Sequence, residues 1–218
     1  MSTITHHVTE PVLMAYAAGT LETPYAVVVA THISMCDECR ARLAAHEHVG
    51  GVVLDQGGSE PLSGDLKARV FAGLDAEPAA PEPEVRPDIP YGRSGIFPAP
   101  VMTALKGKPP KWKRLGFGVR QSILHASQQG SVRLLYIPGG QAVPDHSHRG
   151  LELTLVLQGA FEDETGRFGV GDLESADDDL DHAPTAVKGA ACICLAATGA
   201  PLRFNSLVPR IFQPIFRI

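Results

Sequence analysis

No stretch of this chain is apolar for long enough to cross a bilayer, which argues against a membrane partner. The first residues carry no basic segment followed by an apolar core, the pattern of a secretory leader. The expectation is therefore a cytoplasmic protein. Cysteine is scarce. The four present fall as two close pairs, Cys36/Cys39 and Cys192/Cys194. In a protein that is not exported, close pairs read as metal or redox groups rather than as a disulfide framework. Basic residues are scarce at the front: residues 1–75 hold four against nine acidic ones, and so carry the whole formal net charge of −5. That balance disfavours nucleic acid as a direct partner and suits a basic protein surface. With 218 residues, 44% hydrophobic and 20% charged, there is room for one large or two small globular domains.

The chain changes character twice. Residues 1–75 carry helix punctuation. Thr9 is placed to cap a helix through Leu13 and Tyr16, stopping near Gly19. Thr23-Pro24 reads as a cap followed by proline at the first helical position, although the run Val27-Val28-Val29 favours strand. A third helix fits Asp37 to His48, ending at Gly50-Gly51, and a fourth fits Ser63 to Leu74 with Leu66, Val70 and Leu74 on one face. Five prolines between Pro78 and Pro90, alternating with acids, predict an extended linker. From about Ile96 short alternating strands broken by glycine turns follow, among them 131–137, 151–157 and 190–197. The expected fold is α + β and multidomain: a small helical bundle over 1–75, a Pro-rich linker over 76–95, and an antiparallel β-barrel over 96–218. The linker predicts two separate cores.

Within the second half lies Gly140-x5-His146-x-His148-x3-Glu152-x6-Gly159. On a strand, positions i and i+2 share a face, so His146 and His148 reach one point, and Glu152 faces it after the turn at Arg149-Gly150. Two imidazoles and a carboxylate suit zinc, iron, manganese or nickel. The spacing resembles the first motif of the cupin family at every defining position. The resemblance implies a fourth ligand from the second motif, and His182 follows the glycine turn at Gly171. The cupin site is thus expected to comprise His146, His148, Glu152 and His182, holding a divalent metal, zinc by expectation. The acids Asp172, Glu174, Asp177, Asp178, Asp179 and Asp181 before it read as a solvated loop, with a cation-attracting rim as the sharper alternative.

The first half holds His32-x3-Cys36-x2-Cys39. These positions are i, i+4 and i+7, which share one face on a helical or tight-turn backbone. Two thiolates and an imidazole favour zinc, and a structural site wants a fourth ligand. His6 and His7 can both supply it. A metal staple matters to a bundle of about 75 residues, whose core is thin. H-x3-C-x2-C with a histidine near the N-terminus, in a short helical domain, resembles the zinc-binding anti-sigma factors. Joined through a linker to a cupin, the whole chain is similar to the ChrR type. The likeness includes Ala15-Tyr16-Ala17-Ala18-Gly19 and Val29-Ala30-Thr31-His32.

The resemblance implies His7 as the fourth zinc ligand. It further implies a partner that is an extracytoplasmic-function-type sigma factor, sequestered by the helical half without DNA contact. Release would follow oxidative stress, such as singlet oxygen, sensed through the cupin. No enzyme activity is expected on this reading. The alternative is a metal-dependent cupin enzyme, a dioxygenase or isomerase, with a helical interaction domain. Cys192 and Cys194 share one face of an apolar strand; inert core residues are favoured over a redox pair. The basic stretch Lys106 to Arg114 reads as a solvated lead-in strand, and the apolar tail Phe204–Ile218 as a segment that packs on the barrel or a second copy.

Overall fold

Proline and glycine set the ends of the first helices. A computed structural model of the chain describes residues 3–59, 61–75, 95–143, 146–147, 150–176, 184–199 and 203–204, with the backbone alone at 75, 146–147 and 203–204. Helix α1 spans Glu10–Ala17, with Pro11 in the first turn where no N–H is needed, and it closes at left-handed Gly19. Thr9 stands at its N-cap position, although its side chain makes no capping bond. Helix α2 spans Thr23–Met35 and starts one residue earlier than expected, with Glu22 at the cap position. Its three consecutive valines are helical because burial outweighs a few tenths of a kcal/mol of propensity.

Helix α3 spans Asp37–Gln56. It runs straight through Gly50-Gly51, which the sequence pattern marks as its end. Neither glycine takes positive φ, so each only weakens the helix, by about 1 kcal/mol, and the chain turns at Gly57 instead. Helix α4 is Leu66–Asp75, and α5 is Ala99–Ala104. The latter stands where strands were expected. Pro98 at its cap position and Pro100 in its first turn open it, and fully buried Val101 anchors it.

Eleven strands follow among the described residues: β1 (Lys113–Gly116), β2 (Val119–Ser127), β3 (Gly130–Ile137), β4 (His146–Ser147), β5 (Glu152–Gln158), β6 (Phe161–Glu162), β7 (Arg167–Phe168), β8 (Leu173–Ala176), β9 (Thr185–Ala186), β10 (Cys192–Thr198) and β11 (Arg203–Phe204). Their ladders are antiparallel. The main sheet has the order β1-β2-β3-β10-β5-β8; the smaller ones are β7-β6-β9 and β11-β4. The antiparallel second half is as expected, although the described strands form three sheets rather than one closed ladder.

Register sorts the main sheet into two faces. Leu134, Leu195, Leu155 and Leu173 pair across four strands in one buried row. The row belongs to the same apolar cluster as Tyr25, Val28, Val29 and Ile33 of α2, which packs on β3, β5 and β10. One residue out of phase, the opposite face is apolar at one end, with Ile137, Val156, Cys192 and Cys194, against Phe161 and Phe168. At its other end it is polar, with Arg133, Glu152, Thr154, Glu174 and Thr198 all buried.

This arrangement corrects two expectations. The helical half and the sheet do not have separate cores: a Leu or Val buried fully is worth about 1.5–3 kcal/mol, and here those residues face each other. Asp172 and Glu174 are not solvated but buried; Asp177, Asp178, Asp179 and Asp181 lie outside the described residues, as does 205–218 of the tail.

The Tyr25 hydroxyl ties α2 to the sheet by donating to the Leu151 carbonyl at 2.7 Å. Burial, the leading cause, pushes its pKa up to about 12. Tyr25→Phe leaves that carbonyl without its donor and should cost about 1–2 kcal/mol. The expected readout is a lower urea midpoint at unchanged m.

Candidate metal centre

Cys36 is the only residue between α2 and α3, ending one helix and capping the next with extended backbone (φ −112°, ψ 110°). Its Sγ accepts from the Cys39 N–H at 3.5 Å. The pair therefore opens α3, where unpaired N–H groups and the helix dipole favour negative sulfur. His32 comes from the last turn of α2. His7 comes from the extended segment before α1.

The four donor atoms lie within 4.8 Å of one another. His32 Nε2 is 3.3 Å from Cys39 Sγ, and His7 Nδ1 is 3.4 Å from Cys36 Sγ and 3.7 Å from Cys39 Sγ. Nitrogen and sulfur ligands of one tetrahedral zinc stand about 3.5 Å apart, given its bond lengths. The residues present thus fit a four-coordinate ion, and the group could hold a metal.

The electrostatics point the same way. Burial lowers the His32 pKa to about 4, against an upward pull from the Gly171 backbone. The ring is therefore neutral and ready to ligate. Its Nδ1 makes no hydrogen bond of good geometry but faces Gly171, which leaves Nε2 as the ligating nitrogen. Burial, then the neighbouring Cys36, push the Cys39 thiol up to about 11, with the Val8 backbone pulling the other way. A sulfur placed as Cys39 is stays protonated unless a cation offsets its charge, and a divalent ion would do so. Glu38 Oε2 lies 3.3 Å from His7 Nε2, which would place a carboxylate behind that imidazole if it held a metal. Arg42 Nη1 approaches Cys39 Sγ at 4.0 Å while its other nitrogens bind Glu10, which also accepts from His46.

The structure separates the two adjacent histidines. His6 turns away from the cluster, its ring on Phe168 (centroids 4.4 Å) and its Nδ1 3.5 Å from Asp172. His7 is the one among the sulfurs. In the barrel, Glu152 is buried on the polar end of the inner face and accepts from the Thr154 hydroxyl at 3.1 Å. His146 is described by its backbone in β4, paired with Phe204; His148 and His182 lie outside the described residues. Cys192 and Cys194 are buried with their sulfurs 3.4 Å apart. Cys192 beside it and burial raise the Cys194 thiol well above its usual value, as inert core residues require. Three contributors escaped the sequence pattern: Glu38, Tyr25 and Asp172. Glu38 was within reach, since it sits between the two cysteines. Asp172 carried no signal, being one acid among six.

Residues 103–201 match the family described as the ChrR cupin-like domain. The anti-sigma-E factor ChrR of Cereibacter sphaeroides is 54% identical over 218 residues, covering 99% of this chain and 100% of that protein. The crystal structure of Rhodobacter sphaeroides SigE in complex with the anti-sigma ChrR contains a chain 50% identical to this one. The match has a TM-score of 0.78, covering 90% of this chain and 99% of that one.

Cobalt(II) added to the metal-free protein should give a thiolate-to-metal charge-transfer band of two-sulfur intensity. Cys39→Ser should remove about half of it. His7→Ala should keep the band and change the ligand-field spectrum, whereas His6→Ala should change neither.

Proposed function

The chain belongs to the ChrR family of anti-sigma factors, and on that premise we propose that its helical half holds an extracytoplasmic-function-type sigma factor inactive in the cytoplasm. Zinc at His7, His32, Cys36 and Cys39 is structural on this reading: it joins the N-terminal segment to the α2–α3 joint and contributes folding energy. The cupin half, with a divalent metal, zinc by expectation, at His146, His148, Glu152 and His182, reports oxidative stress such as singlet oxygen. The functional division is 1–75, 76–95 and 96–218. The protein acts by binding a partner and not by turnover.

The observation that carries the sigma-binding reading is an unpartnered apolar surface on the helices furthest along the first half. Val49, Val53 and Leu54 of α3 are exposed, and so are Val70, Phe71 and Leu74 of α4, the last at 74%. Exposed large apolar side chains clustered along a helix in this way suit a protein-binding site, and the relative of known structure is bound to a sigma factor. The acidic balance of residues 1–75 adds complementarity for a basic partner.

Phe71→Asp/Leu74→Asp should therefore leave the thermal midpoint and zinc content unchanged, because exposed positions cost little to alter. It should abolish both co-purification with the sigma factor and repression of a sigma-dependent reporter. Repression at wild-type level by that variant contradicts the reading. The cupin role has its own test. His146→Ala should still repress the reporter but fail to induce on exposure to singlet oxygen, and full induction removes the barrel metal from sensing.

A further inference from the structure

The turn joining β7 to β8, Gly169–Asp172, binds the backbone just before His7 and faces His32. Asp172 is buried, and each carboxylate oxygen has a separate task. Oδ2 accepts from the Gly169 N–H at 2.8 Å and closes the turn. Oδ1 accepts from the backbone N–H of Thr5 at 2.7 Å, from that of His6 at 2.9 Å, and from the Thr5 hydroxyl at 3.3 Å. The Leu173 N–H then donates to the His6 carbonyl at 3.1 Å. The turn itself is fastened to β5, since Gly171 donates to the Val156 carbonyl and Val156 to that of Asp172.

The next residue after this bracket is His7. One residue before it, Ile4 lies across Gly171 so closely that a Cβ at 171 would stand 2.6 Å from the isoleucine side chain; Gly171 also takes φ +91°. On its other side Gly171 faces His32. The extended segment before α1 has no helical bonds of its own to hold it, so its order comes from these contacts.

We propose that Asp172 is a positioning residue for the metal centre, and that the barrel, through this turn, holds His7 in place to ligate. The inference rests on the zinc reading above and deepens it: retention of the ion in the helical half depends on a turn of the other half. Asp172 touches no ligand atom. It acts by ordering the backbone of residues 5 and 6 before metal arrives, which lowers the entropy lost on binding. Charged carboxylates accepting backbone N–H groups are among the stronger hydrogen bonds, and outer contacts that orient ligands change metal affinity about 10- to 100-fold.

The test uses the full chain loaded with zinc and measures zinc transfer to an excess of chelating dye. Thr5→Pro removes both Thr5 donors, the backbone N–H and the hydroxyl, and leaves the Asp172–Gly169 bond intact; Asp172→Ala removes the acceptor. Both should release zinc about 10- to 100-fold faster, and the double variant no faster than the quicker single, because one contact is lost in each. Cobalt-loaded variants should keep the two-thiolate charge-transfer band while their ligand-field bands move towards those of His7→Ala, which general loosening does not produce. Trp112, the single tryptophan, reports by its fluorescence that the barrel region is folded. Wild-type release from Thr5→Pro overturns the proposal, including when Asp172→Ala fails to fold. Additive acceleration in the double variant overturns it too. A wild-type chain that takes up no zinc overturns the zinc reading and the bracket with it, whereas uptake followed by unaltered release overturns the bracket alone.

Discussion

Helix α2 is buried against the sheet and brings His32 to the candidate metal centre at the same time. Tyr25, Val28, Val29, His32 and Ile33 recur at three- and four-residue spacing, so they share one side of the helix. That side covers the leucine row of β3, β10, β5 and β8. His32 therefore lies on the core face and not on the solvent face, which is why it has no exposed surface and a depressed pKa. The position of the metal centre follows. It forms where the core face of α2 runs out, against the first barrel turn it reaches.

The two cysteine pairs show how little spacing alone decides. Cys36 and Cys39 sit at a helix N-terminus with two imidazoles beside them, a set that could hold a cation. Cys192 and Cys194 sit at the start of β10 among Ala191, Ile193 and Leu195, and their closeness, with burial, raises the Cys194 thiol pKa. The same element on the same scale suits a ligand in one place and a small core side chain in the other, because the surrounding partial charges differ.

What the sequence made legible was local. The His32-x3-Cys36-x2-Cys39 trio was readable because a helix, a single joint residue and a second helix keep i, i+4 and i+7 close. The strands were readable because alternation survives in 131–137 and 151–157. The choice between His6 and His7 was not local: it depends on a carboxylate 166 residues away that turns one ring outward. The shared core was hidden for a related reason. Five prolines in a row of acids describe the connection and say nothing of whether the segments it joins touch. Gly50 and Gly51 misled because glycine is tolerated inside a helix at a small cost: neither takes positive φ, and the chain leaves the helix in extended backbone only at Gly57.

Cys36 has a mechanical consequence. As the only residue between two helices, it carries the angle between them on two backbone torsions. Helix α3 is 20 residues long, so it reaches about 30 Å from that point. A tilt of about 10° at the joint swings the exposed valines at its far end through about 5 Å on a rod of that length. A metal held at Cys36 would clamp the fulcrum of a lever whose free end carries exposed apolar side chains, so that a sub-ångström change at one sulfur would be magnified into a displacement as large as a side chain.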